Sequence, residues 1–186
     1  MRSSSVRDDT MTSPTHAMAA VALAAVMAPR SKLRLLAVIG AACAVMPDLD
    51  LLAPAFGGSR DFHRTVTHSL TVALLAGLGA GLVPAFARLP TPQRLISQAY
   101  LALATASHAA LDMLTTYPMG VALFSPFSGR RYYSPWRPVA SVGQELMMVF
   151  VPALIVALLV LRSRRRPRPS VNRDVPAPGR NRPGPG

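Results

Sequence analysis

The sequence predicts an all-α polytopic membrane bundle of four or five transmembrane helices, on three observations. Hydrophobic residues make up 51% of the 186 positions and charged residues only 15%, the balance of a membrane protein rather than of a water-soluble domain. Apolar runs recur along the chain, separated by short connections rich in arginine, proline and glycine. The histidines and acids of the apolar portion fall at the ends of those runs, where a bundle can gather them at one surface.

Residues 1–13 are polar and without periodicity, which predicts a disordered lead-in. From Pro14, Thr15-His16 opens an Ala/Val/Leu/Met run to Ala28, short for a full span but long enough for a helix inside a bundle. A cleaved signal peptide competes with that reading, because Arg2 and Arg7 precede the run and Val26-Met27-Ala28 could serve as a cleavage site. Asp8 and Asp9 count against it, as does the basic Pro29–Arg34 stretch leading straight into the next apolar run.

The second helix runs from Leu33 to Met46 and is ended by Pro47, which restricts the residue before it. Gly57-Gly58-Ser59 marks a flexible connection. The third helix is expected from Thr67 or His68 to Ala87, with Gly77, Gly79 and Gly81 as a small-residue surface for close helix approach. After Leu89-Pro90-Thr91-Pro92, a fourth helix should run from about Gln93 to Thr116. Residues 117–140 are rich in proline, glycine and aromatics and read as a long irregular loop. Ser141 caps a last helix through Leu161, and the Arg/Pro/Gly-rich residues 162–186 are expected to be a disordered basic tail. The organisation is thus one membrane domain over 14–161 between two polar ends.

Charge orients this bundle. The net charge of +12 comes almost entirely from arginine, which suits an anionic membrane surface better than a nucleic-acid face, so no nucleic-acid partner is expected. Five crossings put Arg30, Lys32, Arg34, Arg88, Arg94 and the tail arginines on one side, which the positive-inside rule makes cytoplasmic. The other, extracytoplasmic side then receives His16, Asp48, Asp50, His63, His68, His108, Asp112 and Glu145. Arg60, Arg64, Arg130, Arg131 and Arg137 also fall there and dilute the bias unless they serve a site. The single cysteine, Cys43, lies in an apolar run without a partner and reads as a small buried hydrophobe.

Residues 47–69 place three carboxylates and two imidazoles between apolar runs, a donor set suited to hard or borderline divalent cations. His108 and Asp112, four apart on a helix, share one face and can meet the same ion. Taken alone, His16 or His108 has the plainer reading of a histidine packed on a carbonyl, and Asp48 that of a simple turn residue. Together all four histidines of the chain join the acids at one end, where burial is costly without a purpose. The metal ligands expected are His16, Asp48, His63, His68, His108 and Asp112. Histidine and aspartate without cysteine suit Zn foremost, with Mn or Fe as alternatives, and more than four candidates suggest two or more ions. Asp50 or Glu145 would take a proton from water, although Glu145 equally fits an acid favoured at a helix N-terminus. Arg64, Arg130 and Arg131 would bind an anionic, phosphorylated substrate, membrane lipid or another amphiphile, although the loop pair also fits lipid headgroup contacts. Asp61 is equally placed to pair with Arg60 or Arg64.

Thr15-His16, Pro47-Asp48-Leu49-Asp50, His63-Arg64 with His68-Ser69, His108 with Asp112-Met113-Leu114-Thr115-Thr116, and Phe124 to Arg131 occur in that order, and with them the chain resembles the YdjM-like family. The resemblance covers about residues 14–161. It implies a bacterial inner-membrane protein described as a metal-dependent hydrolase, in some members under LexA control. It also implies that the family's functional residues correspond to His16, Asp48, Asp50, His63, His68, His108 and Asp112. A more distant likeness is to the all-helical zinc phospholipase C group, from which this chain departs in having four histidines and no ligating tryptophan at a processed N-terminus. A non-catalytic metal binder or carrier is the rival reading, and the polar-poor third and fifth helices disfavour a carrier.

The charge asymmetry makes a direct prediction: a reporter fused after Gly186 should be active in the cytoplasm, and activity confined to the periplasm would invert the topology.

Overall fold

The computed structural model describes residues 11–57 and 63–165. Asp61, Arg60 and most of the expected polar ends, 1–10 and 166–186, lie outside the described residues. Among the described residues the regular structure is helical, apart from two isolated backbone bridges, Thr115 to Val139 and Val121 to Tyr132.

Helix α1 spans Ser13–Met27, begun by Pro14 in its first turn and by the carbonyl of Thr12, which accepts from the Thr15 and His16 N–H groups. The expected lead-in therefore stops before Ser13, and Met11 is already buried. A single 3-10 turn at Arg30–Lys32 feeds α2, Leu33–Val45. Pro47 does not stop the helical path as expected. The chain tightens instead into a 3-10 stretch, Met46–Phe56, that ends on Gly57 in the left-handed region at φ 82°.

The expected third helix is divided. A 3-10 turn at Val66–His68 precedes α3, Leu70–Ala80, which Ser69 caps by accepting from the Val72 N–H at 3.3 Å. The chain then turns and restarts as the four-residue α4, Pro84–Ala87, because Pro84 brings no N–H to continue α3 and is placed well at a helix start. Helix α5, Thr91–Asp112, is the longest and ends four residues before the expected boundary, where Thr115 Oγ1 and the Thr115 N–H turn back onto the Asp112 carbonyl. The last helix starts as α6, Val142–Glu145, capped by Ser141, passes through a wide turn at Leu146–Phe150, and continues as α7, Val151–Arg165. Pro152 follows the wide turn and cannot donate, and the Val151 N–H reaches back five residues to Leu146. Arg162, Arg164 and Arg165 therefore belong to a helix and not to the tail.

Two segments are long and apolar enough to cross a membrane, Arg30–Phe56 and Val142–Arg165. That is fewer than the four or five expected. Helix α1 has only 15 residues and α3 only 11, while α5 is long but opens with polar residues. Apolar side chains such as Leu74, Leu78, Met147 and Leu159 face outward, the pattern a lipid solvent accommodates.

Small residues set how closely the helices approach. Helix α1 packs on α2, α5 and α7, and α3 packs on α5. The main core joins Ala20, Ala24, Leu36, Ala44, Tyr100 and Ala104, with Cys43 packed at its margin. At Gly77 an added Cβ would stand 2.7 Å from the Gln98 carbonyl oxygen, so α3 can lie on α5 only with glycine there, whereas Gly79 faces open space. Gly40 admits the Tyr100 ring against α2, and the Tyr100 hydroxyl donates to the Ala20 carbonyl at 3.1 Å, tying α5 to α1.

Gly40→Val should lower stability by about 1–3 kcal/mol through overpacking against Tyr100. Tyr100→Phe should cost about 1 kcal/mol, one buried hydrogen bond. Thermal unfolding in detergent reads both, and an unchanged Tm for Gly40→Val would contradict the packing described.

Candidate metal centre

Four chain segments deliver polar side chains to one buried point. His16 comes from the first turn of α1, Asp48 and Asp50 from the 3-10 stretch after α2, His68 from the turn before α3, and His108 and Asp112 from the last turns of α5. Within Met46–Phe56, Leu49, Leu51 and Leu52 are exposed while both aspartates turn inward.

The tightest group has four atoms. His68 Nε2 and His108 Nε2 are 3.0 Å apart. Asp48 Oδ1 lies 3.3 Å from His108 Nε2 and 4.0 Å from His68 Nε2. Asp112 Oδ2 lies 3.4 Å from His68 Nε2 and 3.6 Å from His108 Nε2. A tetrahedral ion with bonds of about 2.0–2.1 Å separates neighbouring ligand atoms by roughly 3.3 Å, so these five separations have the scale of a coordination shell's edges.

The tautomers agree with that use. His108 Nδ1 is 2.6 Å from the Ala44 carbonyl, which only accepts, so Nδ1 carries the proton and neutral His108 turns the lone pair of Nε2 into the cluster. His68 Nδ1 lies 3.0 Å from Thr67 Oγ1, whose hydroxyl donates to Asp50 Oδ2 at 2.6 Å. This leaves His68 Nε2, too, facing inward with a lone pair. Such outer hydrogen bonds are how proteins fix metal-binding imidazoles. Burial disfavours protonated His68, but the nearby carboxylates of Asp112 and Asp50 outweigh this and raise its pKa.

Around the group stand two further partial shells. His16 stacks on His108 with ring centroids 3.7 Å apart, and its Nε2 is 3.6 Å from Asp112 Oδ1. His63 Nδ1 is 2.7 Å from Asp50 Oδ1, and His68 Nδ1 is 3.5 Å from Asp50 Oδ2. Three overlapping triads able to hold an ion follow: His16, His108 and Asp112; Asp48, His68 and His108; Asp50, His63 and His68. All six expected ligands thus lie together, joined by Asp50.

Two physical facts favour a cation here. Both ring nitrogens of His16, together with His63 Nε2, are buried without a hydrogen-bond partner, a cost that coordination would remove. With neutral imidazoles, Asp48, Asp50 and Asp112 against Arg64 leave two negative charges in a site nearly closed to solvent, the charge one divalent ion cancels.

The remaining expected residues fall into different surroundings. Arg64 is buried at a left-handed backbone position, φ 60°, with Nε 3.1 Å from Asp112 Oδ2, Nη1 and Nη2 each 3.3 Å from Thr115 Oγ1, and its guanidinium 4.3 Å from the Tyr117 ring centroid. Its pKa is lowered, chiefly by burial, against the opposing pull of Asp112. This arginine holds the Asp112 carboxylate in place. Arg131 Nη1 reaches the carbonyls of His63, Met119 and Gly120 at 3.4–3.5 Å and braces the loop after α5. Arg130 is exposed over Tyr132. Glu145 accepts from the backbone N–H of Thr12 at 3.0 Å and from the Thr12 hydroxyl, so it fastens the start of α1 and belongs to none of the three triads.

Sequence reasoning missed the hydroxyls. Ser13 donates to Asp48 Oδ2 at 3.1 Å and Thr67 to Asp50, and the only signal was their closeness in sequence to His16 and His68. Thr115, which seats Arg64, stood only within the motif running from Asp112 to Thr116, and Tyr117, which also seats it, carried no signal.

An all-helical chain with two membrane-length apolar segments and a buried His/Asp group able to hold a cation defines the class: a helical membrane protein with a candidate metal centre. More particularly, the chain belongs to the family of YdjM inner membrane proteins, whose model matches residues 11–169. It is 26% identical over 155 residues to the inner membrane protein YbcI of Escherichia coli (strain K12), a match covering 68% of this chain and 83% of that protein. No solved structure matches it.

His68→Ala or Asp112→Ala should lower divalent metal in the purified protein to near background by elemental analysis. Thr67→Val should weaken binding about 10- to 100-fold in competition with a chelator, the usual cost of losing an outer partner. Full occupancy in all three would remove the centre.

Proposed function

We propose that this protein is a multi-pass inner-membrane hydrolase that uses divalent metal to cleave a phosphoester of a lipid or other amphiphile, with its centre on the extracytoplasmic side. The observation that carries the reading is the four-atom group of His68, His108, Asp48 and Asp112, whose lone pairs converge at ligand spacing in a buried, net negative site. A divalent ion, Zn foremost and Mn or Fe as alternatives, would supply Lewis acidity and make bound water acidic near neutral pH. The flanking triad through His16 supports a second ion beside the first.

The chain's own groups have separable parts in this reading. Asp48, Asp112, His68, His108 and His16 bind. Thr67, Ser13, Arg64 and the Ala44 carbonyl hold those ligands in register. Asp50 takes the proton of the attacking water through His63, whose Nδ1 it holds at 2.7 Å and whose Nε2 is buried without a partner. Arg130, which has no ion pair among the described residues, meets anionic substrate oxygens, and Arg131 keeps its loop in place. The side assignment rests on the basic residues gathered at the opposite end, Arg30, Lys32 and Arg34 around the start of α2 and Arg162, Arg164 and Arg165 ending α7. A non-catalytic metal binder is the second reading, favoured by the density of ligands.

Metal-loaded parent protein should hydrolyse one member of a broad phosphoester and ester panel, and silence across the panel would shift the conclusion to a binder. Arg130→Gln should keep metal content but lower kcat/KM by about tenfold or more, roughly 1.4 kcal/mol, with Arg130→Lys recovering only part. His63→Gln should lower kcat by about 100-fold with metal retained, the span of a lost general base. Metal loss in that variant would make His63 a ligand instead.

A further inference from the structure

At the end of the bundle away from the His/Asp centre, α1, α2 and α7 border a half-open crevice of about 360 Å³. Its rim carries Arg30, Arg34, Arg164 and Arg165, and its walls are apolar, Val21 and Leu33 among them. We propose that this crevice is a binding site for the phosphate headgroup of an anionic membrane phospholipid, with the acyl chains lying along the apolar walls.

Two of the arginines build the crevice. Arg164 donates from Nη1 to the Ala28 carbonyl and from Nη2 to the Val26 carbonyl, both at 2.7 Å, closing the C-terminal end of α1. Arg30 Nη2 donates to the Arg164 carbonyl at 2.9 Å, joining the start of α2 to the end of α7. The other two are left for a ligand. Arg34 and Arg165 are exposed and have no ion pair among the described residues. No acid lines the crevice, and the described acids, Asp48, Asp50, Asp112 and Glu145, sit at the other end of the bundle.

Four guanidiniums without counter-charge repel one another and attract an anion. Their planar forks match phosphate oxygens. The source of the phosphate follows from the setting. The rim stands at the ends of the two segments able to cross a membrane, at headgroup level, and the walls below are apolar where a soluble anion would need water. The site requires nothing of the His/Asp centre and stands whether or not that centre hydrolyses anything.

The test uses the full chain in detergent, with phosphatidylglycerol or phosphatidylcholine of the same acyl chains, and native mass spectrometry to count retained lipid. The parent should retain phosphatidylglycerol in preference. The double variant Arg34→Gln/Arg165→Gln should weaken that retention by about tenfold or more, the scale of lost charge-assisted contacts, with metal content and helicity unchanged. Arg34→Lys/Arg165→Lys should recover part of it. If the double variant does not fold, each single Gln variant should show a smaller loss in the same direction. Equal retention of the two lipids by the parent, or undiminished retention in the Gln variants, would overturn the proposal. Displacement of the lipid by millimolar inorganic phosphate at constant ionic strength would also overturn it, by showing a small-anion site.

Discussion

Negative charge held away from water is the constraint on which this structure turns. Asp48, Asp50 and Asp112 face one another through four imidazoles, with Arg64 as the sole guanidinium in direct ion-pair contact with a site carboxylate among the described residues. Solvating three buried carboxylates this way costs several kcal/mol per uncompensated charge, so the surrounding chain must supply dipoles, protons or a cation. The hydroxyls of Ser13, Thr67 and Thr115, the Ala44 carbonyl and the unpartnered ring nitrogens of His16 and His63 are arranged around that need.

Convergence depends in turn on how closely the helices pack. Alanines at 20, 24, 44 and 104, with glycines at 40 and 77, bring α1, α2, α3 and α5 near enough that one turn from each reaches the same point. Larger side chains would separate the helix axes and draw the histidine and aspartate atoms of the site apart. The Tyr100 hydroxyl on the Ala20 carbonyl and the two Arg164 contacts at the far end of α1 fix the tilt of α1, and with it the position of His16.

The loop after α5 is not loose despite its proline and glycine content. Val121 and Tyr132 exchange backbone hydrogen bonds at 2.8 and 3.0 Å, Thr116 and Leu114 pair with Val139, and the Ala122 N–H donates to the Arg64 carbonyl. The last contact, with the strained backbone of Arg64, aims its side chain at Asp112. The same loop therefore closes the site and sets Asp112, and it leaves Arg130 and Arg137 exposed over Tyr132 and Tyr133.

The sequence by itself determined that the chain is helical, where most helices begin, and which polar residues gather at the ends of the apolar runs. These are local properties: proline and serine at helix starts, and the poverty of charge inside the runs. It also displayed the His108 and Asp112 pair, because four residues are one helical turn. What it did not contain was the partner of each polar group. Arg64, Arg131 and Glu145 look alike as charged residues near a site, yet one grips Asp112, one gathers three carbonyls and one clasps Thr12, 133 residues away in sequence. The division of the third helix at Pro84 and the two membrane-length segments instead of four or five also emerged only in three dimensions. Spacing along a chain fixes which face of its own helix a side chain occupies, but which groups meet is set by packing between helices, and only the tertiary structure decides that.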